Sequence, residues 1–454
     1  MVMFSRYNHT NMQIFIRSGT RFSRRIKFFH WLFFALAMLA SSKLLAEEAA
    51  KQALPEPLTL EYALSLSEND HPDNIVVRAQ YDAALAEKNR VTGEFGIQTR
   101  VEGRLRWTEP VSSTFDQKSD DHFVALSARK RLFDSGYSQA GIDSAMAGVE
   151  TKRLTAMDLK LQHKIAITQA FFNVILADLA YSRDNEFMAI AFVRYDRVKD
   201  KNKLGQVADV ELLEAENTYH AARSVRYASD VKRRASRSRL ANILNHPGQL
   251  SDTLVRPVLS FHKHKPDDID TLQKEALKNN FHLLALRKQV ESYRKKVKAA
   301  RARKNPVVDL ELQVADYTRV TRATDRYRGG LVFEMPLTSS GAIDAEIAKQ
   351  RALLVESQAR LRKAEFEVQQ QVLELWQQIY IIKAQHDEAK IFEEYRDLAL
   401  DKSRGLYELD IKSDLGDSLA LFSAALHKSA KANFDLTMAW IQLDAIRGKP
   451  VVIK

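Results

Sequence analysis

The chain has 454 residues, 45% of them hydrophobic and 28% charged, with a formal net charge of +11 and no cysteine. The length excludes a small stapled scaffold, and the missing cysteine excludes both a disulfide framework and an acylated N-terminal cysteine. The positive balance comes without a helix-turn-helix, zinc or RNA-binding signature, so it reads as solvated helix faces and a basic leader, with no nucleic-acid partner.

Residues 1–46 read as a signal peptide. Arg21, Arg24, Arg25 and Lys27 precede a 13-residue apolar run at 28–40, and small residues lead to a cleavage position after Ala46. The run falls short of the ~20 residues of a membrane helix, although an uncleaved anchor is the alternative. Ser23-Arg24-Arg25 points weakly to twin-arginine export, because Lys27 stands where an aromatic is usual.

A first repeat is expected over 47–248. A short helix opens near Leu58, His71-Pro72-Asp73 interrupts it, and a second helix is expected from about Asn74 to Gly93. Over 97–107 the period changes to two: Ile97, Thr99, Val101, Gly103, Leu105 and Trp107 alternate with Gln98, Arg100, Glu102, Arg104 and Arg106. That is a strand with one apolar and one charged face. A polar loop leads to a second strand at 122–133, with Val124, Leu126, Ala128 and Leu132 on one face. Leu132-Phe133-Asp134-Ser135-Gly136 then turns into a long helical hairpin at 137–244, broken at Lys203-Leu204-Gly205-Gln206. A connector at 249–267 carries Pro257 and Pro266.

The programme repeats over 268–448, ahead of a tail at 449–454. Strands are expected at 307–317 and 326–335 and a helical hairpin at 342–446. A shift of 209 carries Val101, Gly103 and Leu105 onto Leu310, Leu312 and Val314, and a shift of 205 carries Gly136, Leu204 and Asp209 onto Gly341, Leu409 and Asp414. Inside the second hairpin Ile347, Leu354, Leu361, Val368, Leu375 and Ile382 recur every seventh residue, a coiled-coil seam. The position three after each (Gln350, Ser357, Ala364, Gln371, Gln378, Gln385) is small or polar, and reads as a wet or lightly packed edge.

Four such strands cannot close a barrel, since about eight is the smallest that does. An open sheet in lipid would leave edge amides unpaired. The chain therefore oligomerises, three copies giving twelve strands, or the sheet is an ordinary half-buried one. In the membrane reading Val101, Leu105, Trp107, Leu310, Leu312 and Val314 face outer-membrane lipid, while Arg100, Glu102, Arg104, Glu311 and Gln313 face a watery lumen.

The two strand-to-helix turns, Leu132-Phe133-Asp134-Ser135-Gly136 and Met335-Pro336-Leu337-Thr338-Ser339-Ser340-Gly341, and the hairpin tip from Leu204 to Ala215 carry a resemblance. The chain resembles the outer-membrane efflux protein (TolC-like) family over about 56–448. The resemblance implies a mainly α fold with a small β part, a homotrimeric α-barrel joined to a 12-stranded transmembrane β-barrel. It implies a passive channel of a tripartite efflux pump or type I secretion system, with a periplasmic adaptor and an inner-membrane transporter docking at the helical tips. Glu211, Tyr407 and Lys412 match the family's periplasmic gate residues. The family's acidic-ring positions fall on Gly416 and Leu419, which carry no charge, so a ring remodelled around Asp410, Asp414 and Asp417 stands against a displaced register. A solvated carboxylate at a helix start is the alternative for each. A periplasmic coiled-coil scaffold or adaptor is the competing function.

No phosphate-binding loop, nucleophile elbow, zinc-protease helix or dinucleotide fingerprint is present, so neither an enzyme nor a cofactor is expected. His262-Lys263-His264 in the connector could hold a metal but reads as a solvated loop, and Trp376 and Trp440 read as packing residues.

Overall fold

The computed structural model describes residues 54–68, 71–249, 252–320, 324–409, 411 and 414–451. The expected signal peptide, Asp410 and Lys412 lie outside the described residues.

Helix α1 (Leu60–Ser65) is capped by Thr59, whose hydroxyl accepts the Tyr62 N–H at 3.3 Å. Helix α2 (Pro72–Glu94) starts two residues earlier than the sequence suggests, because Pro72 occupies its first turn. Proline's fixed φ suits that position and its missing N–H would have had no helical partner. Strands β1 (Gln98–Arg104) and β2 (Phe123–Phe133) follow, then α3 (Tyr137–Lys203) and α4 (Asp209–Ile243). Beyond the connector come α5 (Ile269–Asn279), α6 (Phe281–Ala302), β3 (Val307–Tyr317), β4 (Tyr327–Glu334), α7 (Ala342–Glu408) and α8 (Leu415–Ile446). Strand β1 ends at Arg104, short of the expected Trp107. The Arg106 N–H goes to the His122 ring at 3.2 Å, and Trp107 keeps only an isolated bridge to Asp120.

The four strands form one antiparallel sheet in the order β1-β2-β3-β4. The halves of the repeat join at β2–β3, where Leu126 opposes Val314 and Ala128 opposes Leu312. Those residues share a face with Val101 and Leu331. The face is exposed, with Val101 at 71% and Leu331 at 68% of full accessibility. The other face is ionic: Asp309 accepts from Arg129 at 2.5 Å and from Arg131 at 3.1 Å, and Arg129 lies 3.5 Å from Glu311.

Helices α3 and α7 each have 67 residues, about 100 Å at ~1.5 Å per residue. Each starts from the same turn. Ser135 and Gly136 have φ of 56° and 84°, and Ser340 and Gly341 have 48° and 83°. Two successive left-handed residues swing the chain from strand to helix, and glycine takes that conformation without a Cβ clash. In the first turn Asp134 accepts the Gly136 and Ser138 amides at 3.1 and 2.8 Å; in the second, the Ser339 hydroxyl accepts the Ile343 amide at 3.5 Å. Helix α3 packs along α2, α4, α6 and α8, and α7 packs along α5, α6 and α8.

The seam on α7 is buried at Ile347, Val368, Leu375 and Ile382, and Leu361 packs at the core margin. The edge beside it is not uniformly wet. Ser357 and Ala364, three after seam positions, are buried, and further down the buried column moves to Val372 and Ile379, four after them. Only Gln371, Gln378 and Gln385 stay exposed. A straight helix at 3.6 residues per turn drifts against a strict seven-residue repeat, so the buried face moves from one flank of the seam to the other. The lower part joins Phe261, Leu272, Leu283, Leu436 and Trp440 in one core. A second contact stacks Phe172 of α3 on Phe434 of α8, ring centroids 4.2 Å apart.

At the end of α8 the Gly448 N–H reaches Ala445 O and the Lys449 N–H reaches Asp444 O, each at 2.9 Å. This is a Schellman cap. A Cβ on Gly448 would lie 2.4 Å from Asn279 O, whereas one on Gly136 would meet nothing within 4 Å. Gly136→Ala should therefore cost backbone strain alone, about 1–2 kcal/mol, and Gly448→Ala more. Thermal melts of the two variants check the order; equal shifts would contradict it.

Candidate functional site

The ends of α3 and α7 farthest from the sheet form a cleft between the two hairpins. Its α3 wall is Glu186, Ile190, Val193, Arg194 and Arg197; opposite stand Tyr407, Ile411, Asp414 and Asp417. The chain reverses at the first tip through a Schellman cap, with the Gly205 N–H on Asn202 O and the Gln206 N–H on Lys201 O, each at 2.9 Å. Asn202 braces the turn by donating to Val207 O at 3.1 Å and to Asp209 Oδ1 at 2.9 Å. In the second hairpin the Ser403 and Ser418 hydroxyls meet at 2.7 Å and hold α7 to α8.

Three polar links tie α3 to α8. Arg194 pairs with Asp417. The Ser423 hydroxyl donates to Glu186 Oε2 at 2.5 Å. One turn deeper, an Arg183 guanidinium nitrogen stands 3.5 Å from His427 Nδ1, while Arg183 Nε donates to the buried Asp184 at 2.7 Å. Burial, and then the Arg183 charge, push the His427 imidazole below its usual range, so the ring is neutral near pH 7. The Arg194–Asp417 pair is solvated, with Arg194 62% exposed, and contributes about 0–1 kcal/mol. The Glu186 carboxylate is half-buried and its bond from Ser423 is of the charged kind, about 1.5–3 kcal/mol.

Of the residues singled out from sequence, Tyr407, Asp414 and Asp417 meet in this cleft. Glu211 is exposed in the first turn of α4 and is not among the cleft residues, and Tyr407 is 63% exposed. Asp414 takes the N-cap position of α8 without a capping side-chain bond. Gly136 and Gly341 sit at the sheet end, about 100 Å of helix away. Glu186 and Arg194 were not legible in the sequence, since their partners lie more than 200 positions on and no local spacing marks them.

With this geometry in hand, residues 272–449 match the family model for outer membrane efflux proteins. The match covers less than half of the chain, all of it in the second repeat and its closing cap. No curated protein matches the chain. Among solved structures, the Campylobacter jejuni CmeC outer membrane channel is 13% identical with a TM-score of 0.70, over 86% of this chain and 85% of that one. The outer membrane protein VceC of Vibrio cholerae is 11% identical with a TM-score of 0.67, over 86% of this chain and 96% of that one. The Neisseria gonorrhoeae MtrE outer membrane channel in its open state is 14% identical with a TM-score of 0.68, over 86% and 89%. At such identities the shared property is the fold. The outer membrane efflux protein match runs from α5 through the cap of α8 and so includes Tyr407, Asp414 and Asp417, while Glu186 and Arg194 belong to the first repeat.

The connector histidines have ring neighbours, while Lys263 and His264 stay exposed. Residues 261–263 form a 3-10 turn, His262 stacks on His386 at 5.6 Å, and His264 lies against Trp440 at 5.9 Å. Trp376 donates its ring N–H to Asp267 O at 3.2 Å.

Proposed function

We propose that the chain is the outer-membrane channel of a tripartite efflux pump or type I secretion system, a passive exit duct working as a homotrimer. In this reading three four-stranded sheets close into a twelve-stranded barrel, and the hairpins close into a periplasmic tunnel. The carrying observation is the sheet, which has no strand beyond β1 or β4 among the described residues and exposes an apolar face from Val101 to Leu331. Unpaired edges are costly in lipid and invite pairing in water, and a bare apolar face is costly in water; barrel closure removes the first cost and lipid covers the second. Helix α3 adds support: 39% of its most apolar stretch is buried within the chain, and neighbouring copies would cover the rest.

The partners in this reading are a periplasmic adaptor and an inner-membrane transporter at the helical tips. Glu211, Tyr407 and Lys412 are assigned to the gate, and Asp410, Asp414 and Asp417 to an acidic ring at the entrance. The cleft that joins Tyr407, Asp414 and Asp417 supports a common role for these three.

Carbonate washing of cell membranes tests the barrel. The protein is expected to stay in the outer-membrane pellet. Release into the supernatant would instead favour the periplasmic scaffold or adaptor, which needs no lipid-covered sheet.

A further inference from the structure

Helix α2 buries none of its residues, yet its first turn meets the middle of α3 through a cluster with no part in the channel reading. His71 is the N-cap of α2, and its Nδ1 accepts the Asp73 amide at 3.2 Å. The Asp73 carboxylate lies 3.5 Å from that same nitrogen. His163 of α3 brings its ring centroid to 4.6 Å from that of His71, tilted by 45°. One ligand atom from each of the three residues lies within 4.8 Å of the others.

We propose that His71, Asp73 and His163 bind one divalent first-row transition-metal ion, of the zinc class, that bolts the start of α2 to α3. Two imidazoles and one carboxylate form a borderline ligand set. Such a set suits zinc and its neighbours better than magnesium or calcium, which prefer oxygen, or copper(I), which prefers sulfur. Metal–nitrogen and metal–oxygen bonds of about 2.0–2.2 Å place ligand atoms of a tetrahedral site roughly 3.4 Å apart. The cluster must therefore contract from its present spacing. The Asp73 side chain can make that movement, since it is 80% exposed, while His71, only 14% exposed, is held.

The chemistry at each atom is favourable. His163, half-buried on α3, offers one imidazole nitrogen to the cluster, and imidazole binds a metal in its neutral form. The His71 Nδ1 lone pair passes from the Asp73 amide to the ion, and that amide, at an exposed residue, returns to water. The carboxylate offsets one of the two metal charges, and water completes the coordination. Because α2 has no buried side chain of its own, the added cross-link should show directly in stability.

Zinc chloride titrated calorimetrically into the detergent-solubilised full-length protein provides the test, together with thermal melts with and without zinc. Wild type should take up one zinc per chain at this site and melt higher in its presence. His163→Gln, Asp73→Asn and His71→Asn should each weaken that binding at least about tenfold, the lower end of the loss when even an outer-shell partner is removed. His71→Asn keeps a side chain that caps helices well, and an unchanged metal-free melt separates lost binding from lost fold. His262→Gln with His386→Gln removes the other histidine pair and should leave this site intact. The proposal is overturned if wild type takes up no stoichiometric zinc, if the three variants bind as wild type does, or if the His262/His386 double variant is the one that loses the ion.

Discussion

In the proposed homotrimer, Ile379→Asp is expected to abolish assembly, and Gln378→Asp to leave it near the wild-type level. Ile379 is fully buried in the core shared by α5, α6, α7, α8 and the connector, whereas its neighbour Gln378 is exposed. Truncating a buried isoleucine alone costs about 2–5 kcal/mol. Forcing an unpaired carboxylate into the same place costs several more, against a total stability of about 5–15 kcal/mol for an ordinary domain. Trimer yield on semi-native gels and far-ultraviolet melts measure the difference. Equal yields from the two variants would contradict the burial of this flank of the seam.

The second large effect concerns the cleft at the hairpin tips. Ser423→Ala removes the donor to Glu186, and Asp417→Asn removes the charge opposite Arg194. The first loses a bond to a charged group, about 1.5–3 kcal/mol; the second loses a solvated pair, about 0–1 kcal/mol. Ser423→Ala should therefore loosen α3 from α8 more, and the double variant most. Three-fold symmetry would repeat each loss in every protomer. Single-channel conductance in planar bilayers should rise in that order. A wild-type conductance in the double variant would mean that these links do not close the tunnel. Tyr407→Phe with Glu211→Gln is the paired measurement. If that variant alone conducts more, the closing bonds form at the family's gate residues, between side chains the single chain does not join.

Chain order and local geometry were legible in the sequence because they depend on short-range physics. Period-two alternation marks β1 to β4, missing prolines mark α3 and α7, and the 205-residue offset carries Ser135-Gly136 onto Ser340-Gly341, both pairs left-handed. The seven-residue repeat identified the buried stripe from Ile347 to Ile382, since periodicity records which side of a helix faces a neighbour. Which flank of that stripe is also buried depends on what packs there, and only the tertiary structure decided that Val372 and Ile379 lie inside while Gln371 and Gln378 do not. The cleft partners were beyond sequence for a related reason. Arg194 and Asp417, or Glu186 and Ser423, lie 223 and 237 positions apart, and charged helix positions are too common for any one to announce its partner. The cluster of His71, Asp73 and His163 is the same case. His71-Pro72-Asp73 reads locally as a helix start, and it becomes a candidate metal site only because α3 passes beside it.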